Sequence, residues 1–353
     1  MHIHWYVTDR CNMDCAYCFK PDFHFDENPK SLETIAQLLV ENNVEKVTIG
    51  GGEPSLIDID NALKILKEGN VYVSYHTNGS LLQNMKIRGL SQLVDEIALP
   101  IDSSKRVTQR KLRGEEFMPI FERLAQIAIK IQKTNTKLGY HTVFTELNNA
   151  DIPKIYDRIK SFGFDYWRIY EFNSDLARQR VLSKAISTTQ STEQTRLIAK
   201  FERLKYLEVP GTLEKGYSDC LLAKFLLMEE KMKQHNDKRV QFVGVRDSKE
   251  PYAFLDNSGR VRYYAWFSGR ERKVVGNITK ENMADIEKRL KEINENPVEF
   301  AEDEFNSATL DLPVWARLEN GEYLSEEVEA IGKSFLKDVE HLAKLYKARQ
   351  NFK

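Results

Sequence analysis

The sequence predicts an α/β protein whose first part is built on parallel strands. Six short segments rich in apolar, β-branched and aromatic residues recur before residue 175, and a helical pattern separates each from the next. Beyond that point the alternation stops. We therefore expect a parallel α/β domain over residues 1–175 and a mixed α+β extension over residues 176–353. Parallel βα units close into a full or partial barrel, or form an open doubly wound sheet.

The strands are recognised by composition and by the turn residues that follow them. The first leads directly into a loop with three cysteines, the second ends in Gly50-Gly51-Gly52, and the third ends in Asn78-Gly79. The six predicted strands span residues 2–8, 44–49, 71–77, 96–101, 137–144 and 166–172.

Helices are predicted between these strands from apolar residues at helical spacing. The first begins at Asn28-Pro29, because proline is favoured in the first turn, and it ends near Asn43. The others span residues 57–67, 82–90, 106–133 and 150–162, and the stretch 106–133 is one helix or two.

The extension has a different character. Residues 175–194 are polar and lack a clear period, which predicts a linker. A hairpin is expected around Asn257-Ser258-Gly259, between strands at 252–255 and 261–264. A further strand is predicted at 240–245, and helices at 193–206, 219–234, 277–294 and 325–349.

Composition limits the function. The 353 residues are 41% hydrophobic and 30% charged, with a net charge of −1, so no overall field attracts a nucleic-acid polymer or an anionic membrane. No signal peptide and no apolar run of about 18 residues is visible. Four cysteines, three of them close together, favour a reducing compartment, so we expect a cytoplasmic protein.

Cys11, Cys15 and Cys18 follow the first strand, and the chain has one further cysteine, Cys220. Three thiolates on one loop indicate a metal site. An iron–sulfur cube normally takes four cysteines, so three would leave one iron open to a ligand. The alternatives are a zinc site completed by His2 or His4, or buried cysteines without a ligand.

Gly51-Gly52-Glu53 follows the second strand, and ligands of parallel α/β folds bind at the carboxyl ends of strands. Glycines allow a ligand to approach the backbone closely, and a neighbouring carboxylate suits an ammonium group. We therefore expect this segment and the cysteine loop to form one site.

The C-x-x-x-C-x-x-C spacing, with Tyr17 before the last cysteine, resembles the radical S-adenosylmethionine (SAM) superfamily. The later Gly-Gly-Glu segment strengthens the resemblance. It implies a partial (βα)6 barrel and a [4Fe–4S] cluster on the three clustered cysteines, with SAM chelating the fourth iron. It also implies an electron donor of the flavodoxin or ferredoxin type. Reductive cleavage of SAM in that family gives a 5′-deoxyadenosyl radical, which removes hydrogen from an unactivated carbon.

The resemblance also implies how SAM is bound. Gly51, Gly52 and Glu53 would hold its amino group, and the backbone of Tyr17 would lie near the adenine. The predicted cofactor contacts beyond these are Asn78, Asp102, Ser103, Arg113 and Val143. For Asp102 and Ser103, capping of the next helix is an equally good interpretation.

The substrate side is similar to viperin-like nucleotide dehydratases, which remove water from a nucleoside triphosphate. His4-Trp5, Phe19, Glu45-Lys46, 77–80 and 166–168 carry this likeness. It implies substrate contacts from Lys46, His141 and Arg168. The sequence departs from that pattern at 20–22, and it has Gly139 and His141 where viperins place a lysine and an asparagine. The basic segment 105–113 either cradles phosphates or forms a solvated helix face.

The alternative is a maturase that modifies a ribosomally made peptide. The segments 254–261 and 275–278 look like parts of the SPASM extension of peptide-modifying relatives. That extension binds auxiliary clusters through many cysteines, and here none follows Cys220. This cysteine could donate hydrogen to a substrate radical, although a buried structural thiol is the simpler interpretation.

Overall fold

The computed structural model describes residues 1–18, 30–172, 224–225, 228–229, 231–243, 253–263 and 274–295. Six strands pair in parallel, in the order of the chain, and helices lie between them, which confirms the predicted α/β partial barrel. These strands are β1 (His2–Thr8), β2 (Lys46–Gly51), β3 (Tyr72–His76), β4 (Glu96–Pro100), β5 (Lys137–Phe144) and β6 (Tyr166–Glu171).

The connecting helices are α1 (Leu32–Glu41), α2 (Asp60–Glu68), α3 (Asn84–Leu93), α4 (Arg106–Arg113), α5 (Met118–Gln132) and α6 (Ile152–Phe162). Helix α1 begins later than predicted, because the Ser31 hydroxyl caps it by accepting a hydrogen bond from the Thr34 amide at 3.2 Å. The stretch 106–133 is two helices, since Gly114 has a positive φ of 91° that ends α4.

The two faces of the sheet differ in chemistry. Successive strand residues point to opposite faces, and the face toward the helices is apolar. Trp5, Ile49 and Trp167 on this face are completely buried, each worth about 1.5–3 kcal/mol of burial free energy. The inner face instead carries His4, Thr48, His76, His141 and Arg168. The core therefore lies between the sheet and its helices, and the inner face adds polar side chains to the barrel interior.

Four more strands widen the sheet: β7 (Val240–Val243), β8 (Ala253–Leu255), β9 (Arg260–Tyr263) and β10 (Val274–Asn277). Strand β7 pairs in parallel with β6, and β8 pairs in parallel with β1. The antiparallel pair β8–β9 confirms the predicted hairpin. The described part of the extension thus shares one sheet with the barrel, and the boundary at residue 175 stays a prediction.

Asn257 in the hairpin turn fastens the extension to β1. Its Oδ1 accepts a hydrogen bond from Trp5 Nε1 at 3.1 Å, and its Nδ2 donates to the Val7 carbonyl at 2.8 Å. The ring of Phe254 consequently lies 4.9 Å from that of Tyr6, between centroids. The hairpin therefore supplies part of the barrel's inner wall.

The last described helix, α7 (Met283–Glu295), begins after the predicted position because residues 274–277 form β10. Within the described ranges no helix is both long and apolar enough to cross a membrane. The predicted linker at 175–194, the helices at 193–206 and 325–349, and Cys220 lie outside the described residues.

Candidate functional site

The cysteine loop and the glycine segment are held together at the carboxyl ends of β1 and β2. The Gly52 amide donates to the Thr8 carbonyl at 2.6 Å, and the Glu53 amide donates to the Arg10 carbonyl at 2.8 Å. A Cβ on Gly52 would clash with the backbone of Arg10, and Gly51 has a φ of 105°. Glycine is required here because two backbone segments touch.

Cys11, Cys15 and Cys18 line one cavity of about 290 Å³, together with Gly51 and Gly52. All three thiols are free of disulfides. Among the described residues no three His, Cys, Asp or Glu side chains converge on a position for a single metal ion. An iron–sulfur cube binds each thiolate through a different iron, so its ligands need not meet at one point.

A buried ion pair supports the cysteine loop from the opposite side. Asp102 is completely buried, and its Oδ2 accepts hydrogen bonds from the Tyr17 hydroxyl at 2.6 Å and from Arg113 Nε. Its Oδ1 accepts a bond from the Val143 amide at 2.8 Å. Arg113 Nη1 lies 3.8 Å from Cys15 Sγ. The cysteine loop, α4 and β5 are thereby fixed relative to one another.

Burial raises the pKa of the Cys15 thiol to about 12, although Arg113 acts to lower it. Burial likewise raises the pKa of Tyr17 well above its ordinary value. The Cys15 thiol without a ligand is therefore protonated at neutral pH. A metal ligand must be a thiolate, so loading a cluster would release this proton. The three cysteines and the guanidinium beside them fit a cluster by their chemistry.

Glu53 is buried, with 1% of its surface exposed, and its carboxylate already has several donors. Oε1 accepts hydrogen bonds from the amide and hydroxyl of Ser55 and from Thr77 Oγ1, at 3.1, 2.5 and 2.6 Å. Oε2 accepts one bond, from the Asn78 amide at 2.6 Å. A carboxylate oxygen has two lone pairs; those of Oε1 are shared among three donors, whereas Oε2 has its second lone pair to offer an ammonium group.

Asn78 joins the end of β3 to the cysteine loop. Its Nδ2 donates to Asn12 Oδ1 at 2.8 Å, and its Oδ1 accepts from the Ser80 amide at 2.8 Å. Asn78 and Val143 both line the cavity, as the sequence led us to expect for cofactor contacts. Asn12, between Cys11 and Cys15, was not among the predicted site residues.

Asp102 and Ser103 are absent from the cavity wall. Ser103 Oγ donates to Asp151 Oδ2 at 2.5 Å and accepts from the Lys105 amide, next to the start of α4, at 3.0 Å. Ser103 thus lies next to the start of α4, whereas the Asp102 carboxylate binds Tyr17, Arg113 and Val143, and no side chain among the described residues caps α4. Their contact with a cofactor stays a prediction.

Below the cysteines, the cavity wall continues with two imidazoles, those of His76 and His141. Their ring centroids are 4.3 Å apart, with the rings edge to face. Burial, with the charge of Arg168, lowers the pKa of His76 to about 3. Burial also puts the pKa of His141 well below its ordinary value. Both rings are therefore neutral at neutral pH. His76 was missed, although its alternation with the outward-facing Val73 and Tyr75 would have placed it inside.

The two basic substrate candidates lie in different places. Arg168 pairs in register with His141 across β5 and β6, and its guanidinium stacks 4.3 Å from the Tyr166 ring centroid. Lys46 lies at the amino end of β2, with its Nζ 3.7 Å from Glu96 Oε1. Neither residue is part of the cavity wall, but Arg168 adjoins a residue that is. Their substrate contacts stay predictions.

The basic segment 105–113 is mainly a solvated helix face. Arg106 pairs with Glu122, and Arg110 Nε lies 2.5 Å from Glu115 Oε2, with both arginines about half exposed. Arg113 is the residue that turns inward, toward Asp102. The geometry favours the solvated face over a phosphate cradle.

A parallel partial barrel with three cysteines after its first strand defines a class: α/β proteins that carry a three-cysteine loop at the barrel mouth. Residues 5–159 match the family model described as the Radical SAM superfamily. Over this part, a little under half of the chain, the sequence is similar to that superfamily.

Curated relatives match over part of their length. A probable GTP 3′,8-cyclase of Methanothermobacter marburgensis is 29% identical over 117 residues, which cover 32% of this chain and 38% of that protein. An S-adenosylmethionine-dependent nucleotide dehydratase of Fibrobacter sp. is 28% identical over 185 residues, 47% of this chain and 54% of that protein. The chain thus spans between about a third and about half of these relatives.

Solved structures share the fold. SuiB of Streptococcus suis, bound to its precursor peptide SuiA, superimposes with a TM-score of 0.57 at 16% identity, covering 81% of this chain and 64% of that one. His-tagged anSMEcpe with bound AdoMet gives a TM-score of 0.53 at 16% identity, covering 81% of this chain and 80% of that one. At such identity the likeness concerns the fold alone.

Proposed function

We propose that this protein is a radical SAM enzyme that acts on a nucleotide. The observation that carries the proposal is one continuous cavity, which begins at Cys11, Cys15 and Cys18 and continues to the buried histidines inside the barrel. A cofactor at the cysteines and a polar substrate below them would meet within this space. When bound, a [4Fe–4S] cluster and SAM supply reductive cleavage of SAM and a carbon radical that removes hydrogen from the substrate.

The chain's own residues would bind the cluster and SAM and orient them relative to the substrate. The three thiolates hold the cluster, and Arg113, fixed by Asp102, places a positive charge beside Cys15. The Gly51–Gly52 backbone and Glu53 Oε2 receive the amino group of SAM. Tyr17 and Val143 border the space for adenine. Phe254 from the hairpin covers the side of the cavity at β1, which helps to exclude water from a reactive intermediate.

Two observations support a nucleotide as the substrate. The relatives described above act, by name, on GTP or on nucleotides. His76 and His141 line the cavity and Arg168 adjoins His141 in register, and hydrogen-bonding imidazoles beside a cation suit a phosphorylated sugar.

The interior also differs from the viperin pattern at Gly139. A Cβ at this position would clash with the Tyr166 ring, so the phenol occupies the space where viperins carry a lysine. The Tyr166 hydroxyl donates to Glu96 Oε1 at 3.2 Å. A nucleotide in this barrel would be recognised by a different set of side chains, and its identity need not be CTP.

The second candidate is a peptide maturase, favoured by the fold shared with SuiB bound to a precursor peptide. Its supporting feature in this chain is the hairpin β8–β9, which borders the cavity through Phe254. A peptide would enter beside this hairpin.

A deuterium-transfer screen tests both candidates. Anaerobically reconstituted protein is incubated with SAM, a reductant and deuterated nucleotides, and deuterium is measured in 5′-deoxyadenosine. We expect at least one nucleoside triphosphate to transfer deuterium and to raise the rate of SAM cleavage. If CTP, UTP and GTP all leave that rate unchanged, the nucleotide proposal is wrong. Stimulation by a peptide encoded beside the gene would favour the maturase.

A further inference from the structure

The proposed function assigns no particular group of the substrate to the imidazole pair of His76 and His141. The His141 Nε2 is buried and has no hydrogen-bond partner among the described residues, although the ring lines the cavity. A buried polar atom without a partner costs free energy, so a ligand atom that reaches it is favoured. His76 lies beside it, with its Nε2 3.1 Å from Ser74 Oγ.

We propose that His76, His141 and Arg168 form a subsite for a phosphate-type dianion of the substrate, and that filling this subsite draws one proton onto the imidazole pair. The inference rests on the proposed function for its substrate class. It adds a specific position within the barrel and a coupling to pH.

The geometry favours an anion. Arg168 on β6 is the register partner of His141 on β5, so a guanidinium and an imidazole adjoin on the inner face. The edge-to-face contact of the two imidazoles keeps both at the cavity wall. An anion placed there would accept hydrogen bonds from both rings and from the guanidinium.

The surroundings of the pair are mostly neutral or cationic. Tyr170 and Tyr166 from β6 lie 5.2 and 6.0 Å from the His141 ring, between centroids. The other titratable groups whose charges act on one or both imidazoles are His2 and His4 on β1, Lys46 on β2, Glu96 on β4, Arg113 on α4 and Arg168 on β6. Glu96 is the one acidic group in this set, and Lys46, Tyr72 and Tyr166 already engage it.

The charge of the anion determines how far it raises the pKa of the imidazoles, and so whether the pair takes up a proton. A unit charge about 4 Å away, at an effective dielectric constant near 20, raises the pKa of an imidazole by about three. His76 starts from a pKa of about 3 in the empty site. A dianion raises the pKa about twice as far as a monoanion does, so we expect more proton uptake near neutral pH with a phosphate-type dianion than with a monoanion.

The sign of the pH dependence follows. The imidazoles are neutral in the empty site and one is protonated in the filled site, so binding takes up a proton and affinity rises as the pH falls. Between about pH 8 and pH 7 one proton per ligand gives a rise of about tenfold in affinity.

The test uses reconstituted holoenzyme with SAM and titrates sulfate, a tetrahedral dianion of constant charge over this range, by isothermal calorimetry at pH 8 and pH 7. Acetate is the monoanionic comparison. Proton uptake is obtained from the dependence of the heat on the ionisation enthalpy of the buffer. We expect sulfate to bind about tenfold more tightly at pH 7 with uptake of about one proton, and acetate to bind with less uptake.

Two variants test whether the proton uptake depends on His76 and His141. In a His76→Asn/His141→Asn double variant that keeps its circular dichroism spectrum, proton uptake should disappear and sulfate affinity should fall at pH 7. His2→Asn is the matched control, because His2 is also an inner-face histidine but is not part of the cavity wall, and its Nε2 already hydrogen-bonds Thr48 at 2.8 Å. It should bind sulfate as the wild type does.

Three results would overturn the proposal: sulfate affinity independent of pH, the same proton uptake in the double variant, or equal uptake with acetate. Since the titration needs no turnover, it can be read even if nucleotides fail to stimulate SAM cleavage. Conversely, deuterium transfer from a nucleotide with pH-independent sulfate binding would reject the subsite and keep the proposed function.

Discussion

The polar side chains at the two ends of the parallel strands differ in whether they have partners within the protein. At the amino ends, Glu96 is 3% exposed and accepts hydrogen bonds from Tyr72 at 2.9 Å and Tyr166 at 3.2 Å, with Lys46 at 3.7 Å. At the carboxyl ends, three cysteines face a cavity, and below them the His141 Nε2 has no protein partner in the described part of the chain. At the amino ends the polar groups bind one another and close the barrel. At the carboxyl ends they are available to bind a ligand.

The same contrast separates the cations. Arg113 is held by Asp102 at the carboxyl end, close to Cys15, whereas Lys46 belongs to the closed network at the amino end. Residue type alone made both look like binding residues. Their positions along the strands give them different functions, and the predictions below are meant to test that difference.

The largest effect is expected at the carboxyl end, from Cys15→Ala. Removal of one of three thiolate ligands should abolish the cluster, so reconstituted protein should lose its iron, about four atoms per chain, and all SAM cleavage. Iron analysis and the visible absorption spectrum measure this. Cys220→Ala is the control and should keep its iron. Stoichiometric zinc in wild-type protein purified without oxygen would contradict the cluster.

Asp102→Asn should have the next largest effect, on stability. The change leaves the buried Arg113 charge without its partner, and breaking such a pair costs about 3–5 kcal/mol. Urea unfolding of the protein measures the loss. Glu115→Gln, which removes the exposed partner of Arg110, should cost under about 1 kcal/mol. Equal losses in the two variants would argue against a supporting function for Asp102.

Glu53→Gln tests the cofactor side of the cavity. The amide keeps the shape but loses the charged acceptor that we assign to the SAM amino group, so SAM affinity should fall by about tenfold. Equilibrium binding of SAM to the reconstituted protein measures this. If a folded variant binds SAM with unchanged affinity, the function of Glu53 is structural, through its hydrogen bonds with Ser55, Thr77 and Asn78.

Lys46→Met should have the smallest effect on function, although the sequence suggests a phosphate contact. Lys46 lies at the amino end of β2 and pairs with Glu96, whereas Arg168 adjoins the cavity residue His141, so we expect SAM and nucleotide affinities to change by less than about threefold. Arg168→Ala is the comparison and should weaken nucleotide binding by about tenfold or more. A large loss of nucleotide affinity in Lys46→Met would show that the amino end also binds substrate.

The same variant should change acid stability. Burial acts to raise the pKa of Glu96, but hydrogen bonds from Ser74 and Tyr72 and the charge of Lys46 outweigh it and lower the pKa. Because the pKa of Glu96 is lower in the folded protein, its ionised carboxylate stabilises the fold at pH values above the ordinary pKa of 4.5. This stabilisation is lost as the pH falls through the folded-state pKa. Without Lys46 the pKa rises, so acid unfolding should begin at a higher pH. An unchanged acid transition, followed by circular dichroism, would contradict the ion pair.

The sequence by itself determined the elements and the motif that lies at their ends. Strands β1 and β5 have their predicted bounds, and the cysteine loop and glycine segment lie together at neighbouring strand ends, as expected. These features depend on periodicity and spacing over a few residues, and on the rule that parallel strands present their carboxyl ends at one edge. Such information is local in the chain.

The tertiary structure decided which side chains meet. That Tyr166 fills the space above Gly139, that Asn257 binds β1 across about 250 residues, and that His76 contacts His141 all depend on packing between distant segments. Whether a charged side chain is paired or available also depends on its neighbours in space, as Lys46 and Arg113 illustrate. Residue type fixes the charge of a side chain. The free-energy cost of burying that charge depends on its depth and its partners, and these are set only when the sheet has formed.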